Sequence, residues 1–138
     1  MEPGPLVNAK YDKTRAARRL PVVTPQEARD AVEGCYCMTH FRYVNEHAAR
    51  IEAETSEAAL VAVIERLYRQ AFGRLGYNYD QPTRAQLQHV LAFLDRDLLW
   101  AKIDPALAAL HQQICGEVIA RMPEDGAPAQ PSPVTPRL

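Results

Sequence analysis

The chain has 138 residues, 47% of them apolar and 24% charged, with a formal net charge of −1. This is the composition of one domain that buries a core, and it excludes a disordered chain and a globally basic nucleic-acid binder. No run approaches the roughly eighteen apolar residues of a membrane span, and Met1-Glu2-Pro3-Gly4-Pro5 lacks the basic and apolar regions of a secretory leader. Three cysteines make an odd count, with Cys35 and Cys37 too close for a comfortable disulfide. Reduced thiols and a cytoplasmic location are therefore the expectation.

Charge is uneven along the chain. Residues 1–23 hold Lys10, Lys13, Arg15, Arg18 and Arg19 against Glu2 and Asp12, whereas residues 24–122 are mildly acidic. The first segment reads as a flexible basic arm, either folded back onto acidic surface of its own body or free to dock on an acidic partner.

The first strong helix signal is Thr24-Pro25-Gln26-Glu27: a threonine cap, a proline at the first helical position, and a glutamate three residues after the cap. Apolar or small residues then recur at Ala28, Val32, Cys35, Met38 and Phe41, and onward to Val44, Ala48 and Ile51. Gly34 interrupts that pattern at a cost of about 1 kcal/mol relative to alanine, which favours a kink or break there. Thr55-Ser56 caps the next helix, striped by Leu60, Val63, Ile64, Leu67, Ala71 and Leu75 and ended by Gly76. After the loop from Gly76 to Pro82, Thr83 and Gln86 form a capping box for a helix carrying Leu87, Val90, Leu91, Phe93, Leu94, Leu98, Leu99 and Trp100. Apolar residues on nearly all its sides mark it as the most buried helix, or as one with a second face for a partner. Asp104-Pro105 opens the last helix, with Leu107, Leu110, Ile114 and Val118 as its stripe and Pro123 as its stop. The reading is an all-α, four-helix bundle over residues 24–122, five-helix if Gly34 breaks the first, with no run of strand periodicity. Pro123, Pro128, Pro131, Pro133 and Pro136 make residues 123–138 a proline-rich, disordered tail.

One constellation carries possible inorganic chemistry. Cys37 and His40 lie three apart and His111 and Cys115 four apart, separations that place each pair on one face of a helix. Should the first and last helices pack together, the four residues form a Cys2His2 set suited to zinc or to thiol-redox chemistry. The competing reading, which the sequence favours, has no metal: the cysteines are small buried hydrophobes and the histidines sit at the wet edge. No Glu-x-x-His pair, glycine-rich phosphate loop or Gly-x-Ser-x-Gly turn is present, so the chain reads as a non-catalytic protein.

The expectation is thus a small adaptor, regulatory or accessory subunit that binds another protein or a second copy of itself. Lys13, Arg15, Arg18 and Arg19 of the arm, Tyr77 and Tyr79 of the central loop, and Trp100 are the candidate contact residues. A metal or thiol-redox bundle is the first alternative, and nucleic-acid binding by the arm the second. Tyr77 and Tyr79 have a structural alternative as well, capping the end of the bundle.

Overall fold

The structure, a computed structural model, describes residues 4–19, 21–47, 56–97 and 104–123. Within them the chain forms five helices and no strand: α1 (Pro5–Arg19), α2 (Pro25–Glu46), α3 (Glu57–Leu75), α4 (Arg84–Asp97) and α5 (Pro105–Ala120). None is long and apolar enough to cross a membrane.

The helix boundaries follow from local chemistry. Thr24 Oγ1 accepts from the Glu27 amide at 3.2 Å while Glu27 Oε1 accepts from the Thr24 amide at 3.1 Å, a closed capping box with Pro25 just inside it. Ser56 accepts from the Ala59 amide, Thr83 and Gln86 exchange the same reciprocal pair of bonds, and Asp104 Oδ1 accepts from the Leu107 amide. Gly76, at φ 75°, ends α3 in the left-handed region that a side chain would disfavour.

Helix α2 is the hub, packing most extensively against α1 and also against α5 and α3; α4 joins α3 and α5. Its buried residues run almost all round it, from Ala28, Ala31 and Val32 through Tyr36, Cys37 and Phe41 to Val44. The apolar pattern of the sequence points instead to the segment of α4 as the most buried helix. In the structure α4 buries Leu87, Val90 and Leu94 on one side and exposes residues such as Gln88 and Arg96 on the other. Leu98, Leu99 and Trp100, which make that segment look apolar all round, lie outside the described residues. So do Ala48 and Ile51 and the proline-rich tail past Pro123.

Two further expectations are corrected. The basic segment, expected as a flexible arm either free or folded back onto acidic surface, is folded back: it is helix α1 over Pro5–Arg19, seated on α2 with Val7, Thr14 and Ala17 buried and Lys10, Lys13 and Arg18 paired with carboxylates of the body. Helix α2 also runs unbroken through Gly34, so the fifth helix comes from the N-terminal segment and not from a break. The two corrections share one cause. A Cβ at Gly34 would overlap the Lys10 carbonyl oxygen, with the carbonyl carbon at 2.7 Å and Thr14 Oγ1 at 3.0 Å, so the glycine lets the backbone of α1 lie directly against α2. The Thr14 hydroxyl donates to the Ala31 carbonyl at the same crossing.

Candidate functional site

Residues four apart on a helix stack on one face, and both halves of the buried polar cluster use that spacing. Cys35 and Thr39 come from α2; His111 and Cys115 come from α5, and all four are buried. Cys35 Sγ and Thr39 Oγ1 each lie 3.3 Å from His111 Nδ1, and Cys115 Sγ lies 3.8 Å from Nδ1 and 3.6 Å from Nε2. One ligand atom from each of Cys35, His111 and Cys115 falls within 4.8 Å of the others.

The imidazole is also held from behind. Its Nε2 lies 3.9 Å from Asp95 Oδ1, and the Tyr36 ring stacks obliquely on it with centroids 4.1 Å apart. The Tyr36 hydroxyl lies 3.1 Å from Asp95 Oδ1 and 3.2 Å from the Leu91 carbonyl, while Gln112 donates to Asp95 Oδ2 at 3.0 Å. Asp95 is thereby fixed on α4 with an oxygen facing the imidazole edge. The imidazole thus has the carboxylate at its Nε2 edge and Cys35 and Thr39 at Nδ1, where its tautomer decides which partner donates.

The two thiols of the cluster are driven apart. A hydrogen bond from Cys115 pulls the Cys35 pKa down, burial opposes this, and the His111 hydrogen bond and charge assist it. Cys115 moves up, first through burial and then because it is the donor in that bond. Of the two, Cys35 gives up its proton first.

As a metal set, Cys35, His111 and Cys115 offer two thiolates and an imidazole, the donors zinc prefers. Cys115 Sγ, however, is nearly equidistant from the two imidazole nitrogens, so it lies beside the ring and not on the line of the Nδ1 lone pair. An ion on Nδ1 would require the Cys115 side chain to turn. The arrangement is that of a hydrogen-bonded thiol pair with an imidazole between the helices.

The structure brings together only half of the four residues singled out as a Cys2His2 set. His111 and Cys115 meet Cys35, while Cys37 and His40 do not join that cluster. Cys37 lies in the field of Lys10, Glu33 and Glu65, and its thiol is pushed up to about 12, mainly by burial. His40 is lowered by burial, and its Nδ1 has no hydrogen-bond partner among the described residues. A signal for Cys35 existed in the sequence. It sits on the plain apolar stripe of α2, and the stripe of α5 through Leu107, Ile114 and Val118 is the face that buries His111 and Cys115.

Three cations of α1, Lys10, Lys13 and Arg18, are tied to the body, and Arg15 pairs within α1. Lys13 pairs with Asp30 at 3.6 Å, Arg15 with Asp12, and Arg18 with Glu117 at 2.6 Å. Lys10 bonds Glu65 at 2.9 Å and reaches Glu33 at 3.7 Å. Toward the C-terminal end of α1, Arg15, Arg18, Arg19 and Glu117 line an open surface cleft of about 340 Å³. Tyr79 caps the bundle: its ring packs edge-on to Phe72 and Tyr68, with the guanidinium groups of Arg29 and Arg69 at 4.1 and 4.6 Å from its centroid. Tyr77 is part-buried and bonds His89 Nδ1 through its hydroxyl at 2.6 Å. Trp100 lies outside the described residues. At the other end of the bundle, His47 Nε2 meets Asp104 Oδ2 at 3.0 Å, joining the end of α2 to the cap of α5.

No family model matches the chain, and comparison with curated proteins and with solved structures finds no significant match.

Proposed function

We propose that this chain is a small non-catalytic accessory or regulatory module that docks onto an acidic protein surface through the C-terminal half of α1. The observation that supports this is the cleft at that end, where three arginines, Arg15, Arg18 and Arg19, share their lining with one carboxylate, Glu117. Arg121, exposed at the end of α5, adds positive charge beside Glu117. Asp12 answers Arg15 and Glu117 answers Arg18, which leaves a net positive patch on an otherwise slightly acidic protein. Guanidinium groups suit this role because each presents a planar fork of donors to a carboxylate. With α1 held by Val7, Thr14 and Ala17, the arginines stand on a rigid helix, so docking costs less conformational entropy than it would from a free arm.

The test is crosslinking capture of the tagged full chain in its own cells, alongside the triple variant Arg15→Glu/Arg18→Glu/Arg19→Glu and a titration of both with duplex DNA. Wild type should capture one protein reproducibly, and the variant should lose at least tenfold of it while melting at the same temperature. Identical capture by both chains overturns the reading. Duplex DNA that binds wild type more tightly than the captured protein does assigns the patch to nucleic acid instead.

A further inference from the structure

We propose that Cys35 and Cys115 form a redox couple, in which a hydroperoxide-class oxidant converts the two thiols into a disulfide joining α2 to α5 while Cys37 stays reduced. The site is independent of the basic cleft.

Three observations carry the proposal. The two sulfurs lie within 4.8 Å of each other and of an imidazole nitrogen, although their residues are 80 positions apart on different helices. His111 touches both sulfurs, so one base serves both steps of an oxidation. Asp95, anchored by Tyr36 and Gln112, faces the far edge of that imidazole and can stabilise it when it takes up a proton. Cys37, two residues from Cys35, has none of these neighbours. It faces α1 and α3, where burial disfavours a thiolate, Lys10 only partly opposes this, and Glu33 and Glu65 add to the penalty.

The chemistry balances with hydrogen peroxide as oxidant. His111 takes the Cys35 proton; the thiolate attacks one peroxide oxygen, the O–O bond breaks, and the leaving hydroxide recovers the proton as water. Cys35 is then a sulfenic acid. The Cys115 sulfur attacks the Cys35 sulfur, the S–O bond breaks as the S–S bond forms, and hydroxide leaves with the Cys115 proton as a second water. Two thiols are oxidised by two electrons and one peroxide is reduced to two waters. Both sulfurs are buried, Cys35 at 1% and Cys115 at 0% exposure, so the oxidant enters only when α2 and α5 part locally. The couple therefore reports loosening of that helix pair in addition to oxidant: a closed bundle is spared and an opened one is locked.

The experiment treats the reduced, full-length chain with excess hydrogen peroxide in native buffer and in mild urea, then digests it without reduction for mass spectrometry. The expected product has lost two hydrogens, contains a crosslinked Cys35–Cys115 peptide and retains a free Cys37. It should form faster in mild urea, revert with dithiothreitol, and melt roughly 10 °C higher than the reduced chain, because it closes a long loop. Cys37→Ala should form the same crosslink, and Cys115→Ala should stop at a Cys35 sulfenic acid that a dimedone-type reagent labels. A crosslink through Cys37, over-oxidation of any cysteine without a crosslink, or no change where the urea-unfolded chain oxidises readily would each overturn the proposal. So would one zinc per chain in the protein as purified with both thiols protected by it, which would make the cluster a metal site.

Discussion

Helix α2 carries two polar faces, and they solve burial in different ways. On the α5 side, Cys35, Thr39 and His111 satisfy one another, with Cys115 beside them and Asp95 held behind. On the α1 and α3 side, Glu33 and Cys37 share one cation, Lys10, which itself is closer to Glu65. That side leaves Glu33 Oε2 without a hydrogen-bond partner among the described residues. Cys35 and Cys37 make the contrast sharpest: two residues apart on one helix, one thiol is drawn down by donors and the other is raised to about 12 by burial. Burial alone does not activate a cysteine. At Cys35 a hydrogen-bond donor and an imidazole outweigh burial, whereas at Cys37 the charge of Lys10, opposed by Glu33 and Glu65, does not.

The largest expected effect tests how the α1 side is built. Gly34→Ala puts a methyl group into the backbone of Lys10, which cannot move without lifting α1 off α2. The variant should lose about 2–3 kcal/mol, read as a fall in melting temperature with α1 amides exchanging first. An unchanged melting temperature would show that α1 does not seat against Gly34. On the α5 side, Tyr36→Phe removes the hydroxyl that holds Asp95 and leaves the carboxylate short of a donor in a mostly buried site. The expected cost is about 1–2 kcal/mol by urea unfolding. A neutral effect there would mean that Gln112 alone fixes Asp95.

Much of this fold was legible because helix ends are decided locally. Thr24, Ser56, Thr83 and Asp104 each show their capping role within three residues, and Gly76 its stop, so four helices could be placed without knowing what they pack against. Helix α1 was hidden because its seat is not in its own residues. Val7, Thr14 and Ala17 make a thin stripe in a cation-rich segment, and the feature that accepts it is a glycine on another helix that reads as a weak point. The site was half legible for a related reason. His111 and Cys115 share the core stripe of α5, but whether Cys35 or Cys37 meets them depends on the rotation of α2. That rotation is fixed by α1 filling the side on which Cys37 lies.

The smallest effect is the most pointed, because it reverses the usual sign for a carboxylate. Burial raises the Glu33 pKa in the folded chain, and Lys10 only partly opposes it. The fold therefore binds the Glu33 proton more tightly than the unfolded chain does. Its contribution is fully present below the unfolded value near 4.5 and is lost as pH rises through the higher folded value. Glu33→Gln keeps the shape and deletes the charge. It should match wild type near pH 4 and exceed it by up to about 1 kcal/mol at pH 8, since Lys10 keeps Glu65 at 2.9 Å. A Glu33→Gln variant less stable than wild type at pH 8 would mean that the Lys10–Glu33 attraction outweighs the burial of the charge. The α1 side of α2 would then be as well matched as the α5 side, and the contrast between the two faces would fail.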